Sequence, residues 1–265
     1  EMCIRDSDYV KLGQKIGEFK GLGAPIHASV SGTVAAVEPR PYSMGGKVMS
    51  VVIDNDFKDD LSEEVHAPAD PDALSVEEMV EMVKQAGIVG MGGATFPTHT
   101  KISSGIGKVD TVIINGAECE PYITSDTRTM LDRSEELMEG ARLVQHFLQV
   151  RRVIFAIEDN KPRCIQLYRK LTKDEDGMEV CALKSLYPQG GEKVLIYNTI
   201  GEIVPEGKLP LDVGAIVLNC TTLANIARYC KTGMPLVEKC ITVDGSAVAK
   251  PKNCLLYTSP SPRDP

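Results

Sequence analysis

Residues 109–230 alternate β-branched runs with amphipathic ones, and this rhythm restricts the possible folds more than any other feature of the chain. Val109-Asp110-Thr111-Val112-Ile113-Ile114-Asn115 reads as a buried strand. Ser134 to Val150 reads as an amphipathic helix with Leu137, Ala141, Val144 and Leu148 on one side. A strand over 151–157 follows, then a helix opened by Pro162 and running to Leu171, then a strand over 178–183. A helix over 193–200, a strand over 214–218 and a helix to Cys230 complete the series. Strand–helix–strand repetition predicts an α/β layer with a largely parallel sheet, whose ligands sit at the carboxyl ends of the strands.

Upstream, Ser75-Val76-Glu77-Glu78 has the spacing of a capping box, and Val76, Met79, Val80 and Val83 share one helical face. Gly87 stands where a left-handed residue ends such a helix. Residues 8–56 have a different texture, with short strand candidates (Val34–Val37, Lys47–Ile53) separated by glycines. The stretches Gly13–Glu18 and Pro25–Val34 are similar to lipoyl-like barrel-sandwich modules. Carriers of that kind hold a modified lysine at a hairpin tip, where this chain has His27-Ala28-Ser29-Val30, so docking fits better than a swinging arm. The acidic segment 57–74, with Pro68 and Pro71, reads as a linker.

The 265 residues carry 29 basic and 37 acidic side chains, a net charge of −8, which disfavours nucleic acid as a partner. No apolar run approaches the ~20 residues of a membrane span. The 8 cysteines contain no C-x-x-C pair, so no metal site is expected, and they read as reduced thiols. The two ends, 1–7 and 254–265, are expected to be sequencing-adaptor residues. Coding triplets for Glu1–Ser7 can be written whose reverse complement encodes the start of the run from Cys254.

Four elements carry candidate chemistry. Gly90-Met91-Gly92-Gly93-Ala94-Thr95-Phe96 could cradle an anion on backbone N–H groups, with Lys101 adding charge, or could simply be a tight turn. It is neither a Walker A motif nor a dinucleotide fingerprint. Asn115-Gly116-Ala117-Glu118-Cys119-Glu120 leaves a strand with an amide and two acids, which in extended geometry share one side. Such a pair suits proton transfer or ribose hydroxyls, or is a solvated loop. Gly190-Gly191-Glu192 opens a helix, a natural phosphate site, and Asn219-Cys220-Thr221-Thr222 caps another.

In this order and spacing the elements resemble the flavin- and NADH-binding domain of the complex I flavoprotein. They are still more similar to C subunits of the Rnf ion-translocating electron-transport complex. That signature reads Ala24–Gly32, Gly92-Gly93-Ala94-Thr95-Phe96-Pro97-Thr98-His99, then Ile114 to Asp126. The resemblance implies a complex I flavoprotein-like α/β domain over 75–235, preceded by the barrel-sandwich over 8–56. It also implies the start of a β-rich ubiquitin-like domain over 236–253. It implies non-covalent FMN, with Gly90, Gly92, Gly93 and Lys101 at the phosphate or ring edge. Asn115, Glu118, Gly190, Gly191, Asn219 and Thr222 would line the rest of the pocket. NAD(H) would lie near Phe96, Glu120 and Glu192. Met91, Thr95, Ala117 and Gly191 depart from the complex I pattern and favour the Rnf branch.

The implied activity is flavin-centred electron transfer between NAD(H) and one-electron carriers, with no catalytic side chain. The resemblance further implies two four-iron clusters in a following segment, membrane and iron–sulfur partner subunits, and ferredoxin as an indirect partner. It places the chain at the cytoplasmic face of a bacterial cell membrane, without a span of its own. A corrinoid reductase of the same superfamily shares the flavin domain. A quinone-reductase A-type binding subunit without FMN shares the architecture, but intact Gly92-Gly93, Lys101 and Glu118 argue against it.

Overall fold

The computed structural model describes residues 3–19, 21–42, 45–68 and 70–256. The rest, including 257–265 of the suspected adaptor run, lie outside the described residues. The chain begins with five strands: β1 (Tyr9–Val10), β2 (Lys15–Gly17), β3 (Ile26–His27), β4 (Gly32–Pro41) and β5 (Lys47–Asn55). β1, β4 and β5 form one antiparallel sheet and β2 and β3 another, closing over Val10, Ile16, Ala28 and Val34. Ile4, from the suspected adaptor residues, packs into this same core, and the Cys3 N–H donates to the Ile16 carbonyl. Segment 57–74, expected as a linker, is laced to the barrel. The Leu12 and Ser62 N–H groups bond to the Asp60 and Leu12 carbonyls, and the Tyr9 hydroxyl lies 2.8 Å from the Asp56 and Asp60 carboxylates.

The α/β domain follows with α1 (Val76–Gln85), α2 (Thr98–Gly105), β6 (Thr111–Gly116), α3 (Ser125–Asp132), α4 (Ser134–Leu148) and β7 (Arg152–Glu158). Then come α5 (Pro162–Leu171), β8 (Met178–Leu183), α6 (Glu192–Ile200), β9 (Ala215–Asn219) and α7 (Cys220–Thr232). Both halves of the Ser75–Glu78 capping box are formed, and Gly87 takes φ +68°. The 109–115 strand begins two residues later than predicted, and α4 ends two residues earlier because Gln149 adopts a left-handed φ of 52°.

β6 to β9 make a wholly parallel sheet in the order β8-β7-β6-β9. Successive side chains alternate between two buried layers. Val112, Ile114, Val153, Phe155, Ile216 and Leu218 face α4, α5 and α7, whereas Ile113, Ile154, Ala156, Ala215 and Val217 face α6. Burial on both faces explains why these strands read as continuous apolar runs. A final hairpin pairs β10 (Lys239–Val243) with β11 (Lys252–Leu256), so the predicted strand at 239–243 finds its partner partly in the suspected adaptor run.

Candidate functional site

The chain steps from β6 to β7 to β8 on one side, then returns to place β9 on the other side of β6. Such a reversal leaves a crevice at the carboxyl ends of the two diverging strands. Those ends are Asn115 and Asn219, which are register partners. Two predicted site residues that are 104 positions apart in sequence therefore stand side by side (219 − 115).

The glycine loop leans on the β9 side of the crevice. Its base is closed by the Gly90 N–H bonding to the Phe96 carbonyl and by a bridge between Val89 and Pro97. The Met91 N–H donates to Thr222 Oγ1 at 3.0 Å. A methyl placed on Gly92 would lie 3.4 Å from Asn219 Nδ2, so the loop backbone rests directly against the Asn219 amide. Gly93 takes φ +126° with open space around it, and Gly92 to Phe96 are exposed. Asn219 caps α7, its Oδ1 accepting from the N–H groups of Thr221 (2.9 Å) and Thr222 (3.2 Å).

The second glycine turn closes the β6 side. Asn115 Nδ2 donates to the Gly190 carbonyl at 3.0 Å, and Asn115 Oδ1 accepts from the Ala117 N–H. The Gly190 N–H donates to Cys119 Sγ at 3.3 Å, and a methyl on Gly190 would come within 2.7 Å of the Ala117 carbonyl oxygen. Gly191 is the N-cap of α6. Across the mouth, Lys101 Nζ of α2 pairs with Glu192 Oε1 of α6 at 2.5 Å.

The acidic pair departs from expectation. β6 ends at Gly116, so the two acids are not on an extended strand; they differ in burial, although both border the same adjoining cleft. Glu118 is 7% exposed and turns inward, accepting from the Asp126 N–H (2.8 Å), the Thr127 N–H (3.2 Å) and the Thr127 hydroxyl (2.8 Å). It therefore serves as the acceptor that the first turn of α3 lacks locally. Glu120 is exposed and lines an adjoining cleft of about 610 Å³ with Cys119, Tyr122, Lys161 and Tyr187. The described lining of that cleft includes neither the first glycine loop nor Asn219.

Several residues around the site escaped the sequence reading. Asp126 accepts from Asn219 Nδ2 at 2.8 Å and from the Thr221 hydroxyl at 2.7 Å, and burial pushes its carboxyl above the usual range. Lys161 and Glu158 form a buried pair at 2.8 Å beneath the 118–120 loop, and Lys161 Nζ also reaches the Glu118 carbonyl. The partners of Asp126 are 93 and 95 positions away, and the pairing of Glu158 with Lys161 is local but its burial is set by the rest of the fold.

The donor set suits a flavin bearing a phosphate. It offers an exposed Gly92-Gly93 backbone beside a helix start, a lysine on the next helix, and two amides at the strand ends. Among the described residues no His/Cys/Asp/Glu cluster could hold a metal ion, and no helix is long and apolar enough to cross a membrane.

Comparison with known proteins agrees with this fold. Residues 83–228 match the Nuo51 FMN-binding domain family, and residues 1–58 match the RnfC barrel sandwich hybrid domain. The chain is 41% identical over 251 residues to the C subunit of the Na(+)-translocating ferredoxin:NAD(+) oxidoreductase complex of Acetobacterium woodii. It is also 41% identical over 255 residues to the C subunit of the proton-translocating ferredoxin:NAD(+) oxidoreductase complex of Clostridium ljungdahlii. These alignments cover 94% and 96% of this chain but only 57% and 56% of those proteins. Among solved structures, an NAD+-reducing NiFe-hydrogenase in the H2-reduced state superposes with TM-score 0.56 at 22% identity, over 70% of this chain and 38% of that one.

Proposed function

This chain belongs to the Nuo51 FMN-binding domain family, with an RnfC-type barrel-sandwich domain ahead of it, and from that premise we propose that it is the FMN- and NAD(H)-binding part of an Rnf-type ferredoxin:NAD oxidoreductase. The observation that carries this reading is the glycine loop seated on the Asn219-capped first turn of α7, at the point where the strand order reverses.

A bound flavin supplies the junction between a two-electron hydride donor and one-electron carriers. The residues of this chain bind and orient. Gly90, Gly92 and Gly93 let the phosphate-bearing end approach the backbone, and Lys101 supplies positive charge. Asn115, Gly190, Gly191, Asn219 and Thr222 fix the walls. Phe96, Glu120 and Glu192 lie towards the nicotinamide nucleotide. Glu118 acts one step back, by holding the loop that carries Glu120. No side chain needs to transfer a proton to the reacting atoms.

In this reading the two four-iron clusters, the membrane and iron–sulfur partner subunits and the coupling to ion translocation belong to the larger assembly. Ferredoxin is reached indirectly, and the chain sits at the cytoplasmic face of the membrane. The test is an anaerobic FMN titration of the 265-residue chain, followed by NADH. Stoichiometric binding and bleaching of the flavin band on NADH addition are expected. A folded chain that ignores FMN would overturn the reading.

A further inference from the structure

Asp126 grips the β9–α7 junction from outside it. Its Oδ2 accepts from Asn219 Nδ2 and its Oδ1 from the Thr221 hydroxyl, while its own N–H is held by Glu118. The amide of Asn219 has two unlike ends, and the two N–H groups of α7 require the oxygen end. An acceptor-only partner at the nitrogen end fixes that choice, and an ionised Asp126 is such a partner. The consequence reaches the glycine loop, because Gly92 packs on the Asn219 amide and Met91 bonds to Thr222 in the same turn.

We propose that Asp126 is a positioning residue of the flavin site, setting the Asn219 amide so that the first glycine loop rests in its ligand-ready place. This rests on the FMN reading above. The ionisable groups facing the Asp126 carboxylate are Glu118 from the β6–α3 loop, Cys220 from α7 and Cys240 from β10, with Arg128 and Asp132 exposed on its own helix. None of these is a cation bonded to it, so burial dominates, raises its carboxyl and brings its protonation closer to neutral pH. Once protonated, one oxygen becomes a donor, and the carboxyl no longer accepts from both partners.

The test uses the 265-residue chain as wild type, Asp126→Asn and Thr129→Val. Thr129 Oγ1 lies 2.9 Å from Thr221 Oγ1 at the same α3–α7 seam, so its variant loosens that seam while leaving the Asp126–Asn219 hydrogen bond its two partners. Two quantities are read. One is amide hydrogen exchange of Thr221, Thr222 and Met91 in the flavin-free protein. The other is the FMN dissociation constant from fluorescence quenching. Asp126→Asn is expected to speed exchange at those amides and to weaken FMN by about tenfold. Thr129→Val lowers the unfolding midpoint and leaves FMN affinity within about twofold. Because burial raises the wild-type carboxyl, so that it protonates before an ordinary aspartate does, acidification should shrink the affinity ratio between wild type and Asp126→Asn towards one. FMN affinity and amide exchange both unchanged in Asp126→Asn would overturn the proposal. So would equal weakening of FMN by Thr129→Val. If Asp126→Asn does not fold, the decision passes to the wild type, where acidification must release the Thr221 and Thr222 amides before global unfolding. Failure of the wild type to bind FMN would defeat the functional reading instead, and the flavin-free exchange would still decide on the clamp.

Discussion

Replacing Glu118 by alanine separates two roles for one carboxylate, that of a wall of the flavin pocket and that of a cap on α3. In the structure the carboxylate is 7% exposed and meets two backbone N–H groups and the Thr127 hydroxyl within 3.2 Å, with Ser125 Oγ at 3.4 Å. Thr124, the N-cap residue of α3, makes no capping bond of its own, so no local acceptor replaces Glu118. Loss of a side-chain cap costs about 1 kcal/mol, and leaving a second part-buried donor without a partner costs a further ~1–3 kcal/mol. Loss of a negative charge at a helix N-terminus adds about 0.3–1 kcal/mol. These contributions are not independent, and about 3 kcal/mol is the expected total for Glu118→Ala. Glu118→Gln keeps one acceptor oxygen and should lose about half of that.

The assay is urea unfolding of the flavin-free chain, because bound ligand would add stability of its own. With a slope of ~2–3 kcal/mol/M, the alanine variant should unfold at a midpoint lower by about 1 M. Glutamine should fall between it and the wild type. Wild-type midpoints in both variants, accompanied by loss of FMN binding, would refute the capping argument and return Glu118 to the pocket wall.

Lys101→Ala should weaken FMN binding by about tenfold while costing under ~1 kcal/mol of stability, since its pair with Glu192 is about one-third exposed; unchanged affinity in a flavin titration removes Lys101 from the site. Burial holds the His27 imidazole down at about 4 against the usual 6.5, so on acidification the unfolded chain takes up a proton before the folded one does. Stability carried by neutral His27 is therefore complete above about pH 6.5 and lost as the pH falls towards 4, by up to ~3 kcal/mol; a urea midpoint series should show a slope there that His27→Gln flattens. A methyl on Gly140 would sit 2.2 Å from the Leu223 carbonyl oxygen, so Gly140→Ala must push α4 from α7 and should cost about 2–3 kcal/mol, and a wild-type unfolding midpoint would contradict that close approach.

The sequence displays elements whose reasons are local and hides those whose reasons are distant. α5 and β8 fall on the predicted residues because Pro162 starts the one and a short run of mostly apolar residues marks the other. α2 and α3 went unseen because Thr98–Gly105 and Ser125–Asp132 carry few apolar residues, and each is secured by the rest of the fold. Ile102 and Met130 are buried in the main core, and Glu118 caps α3 from seven residues before its start. The same division runs through the site. Asn219 was legible as a cap because its partners follow directly at Thr221 and Thr222. Asp126 was not, because its meaning depends on an amide 93 positions away. The side-by-side reading of Glu118 and Glu120 assumed that β6 continued. It stops at Gly116, where a methyl would lie 2.8 Å from Met130 Sδ and 3.2 Å from the Ala156 carbonyl oxygen.

The loop that follows β6 is braced from both sides, which bears on how a nucleotide could use it. On one side the Glu118 carboxylate is tied to α3; on the other the Glu118 carbonyl meets Lys161 Nζ, whose charge is balanced by Glu158. Side chains at 8% and 1% exposure make that pair a weak source of net stability, because desolvation offsets most of the attraction. Its effect is to fix position, since breaking it would leave a buried charge without a partner. Glu120 is thus carried by a segment with little freedom to move, and the glycine loop opposite is closed at its base by Gly90 and Phe96. A site built this way pays its ordering entropy during folding and not during binding, so affinity depends on the contacts it presents and little on closure. Under the proposed function, that would suit a cofactor held through many turnovers, with the exposed Phe96 and Glu120 open to a substrate that must come and go.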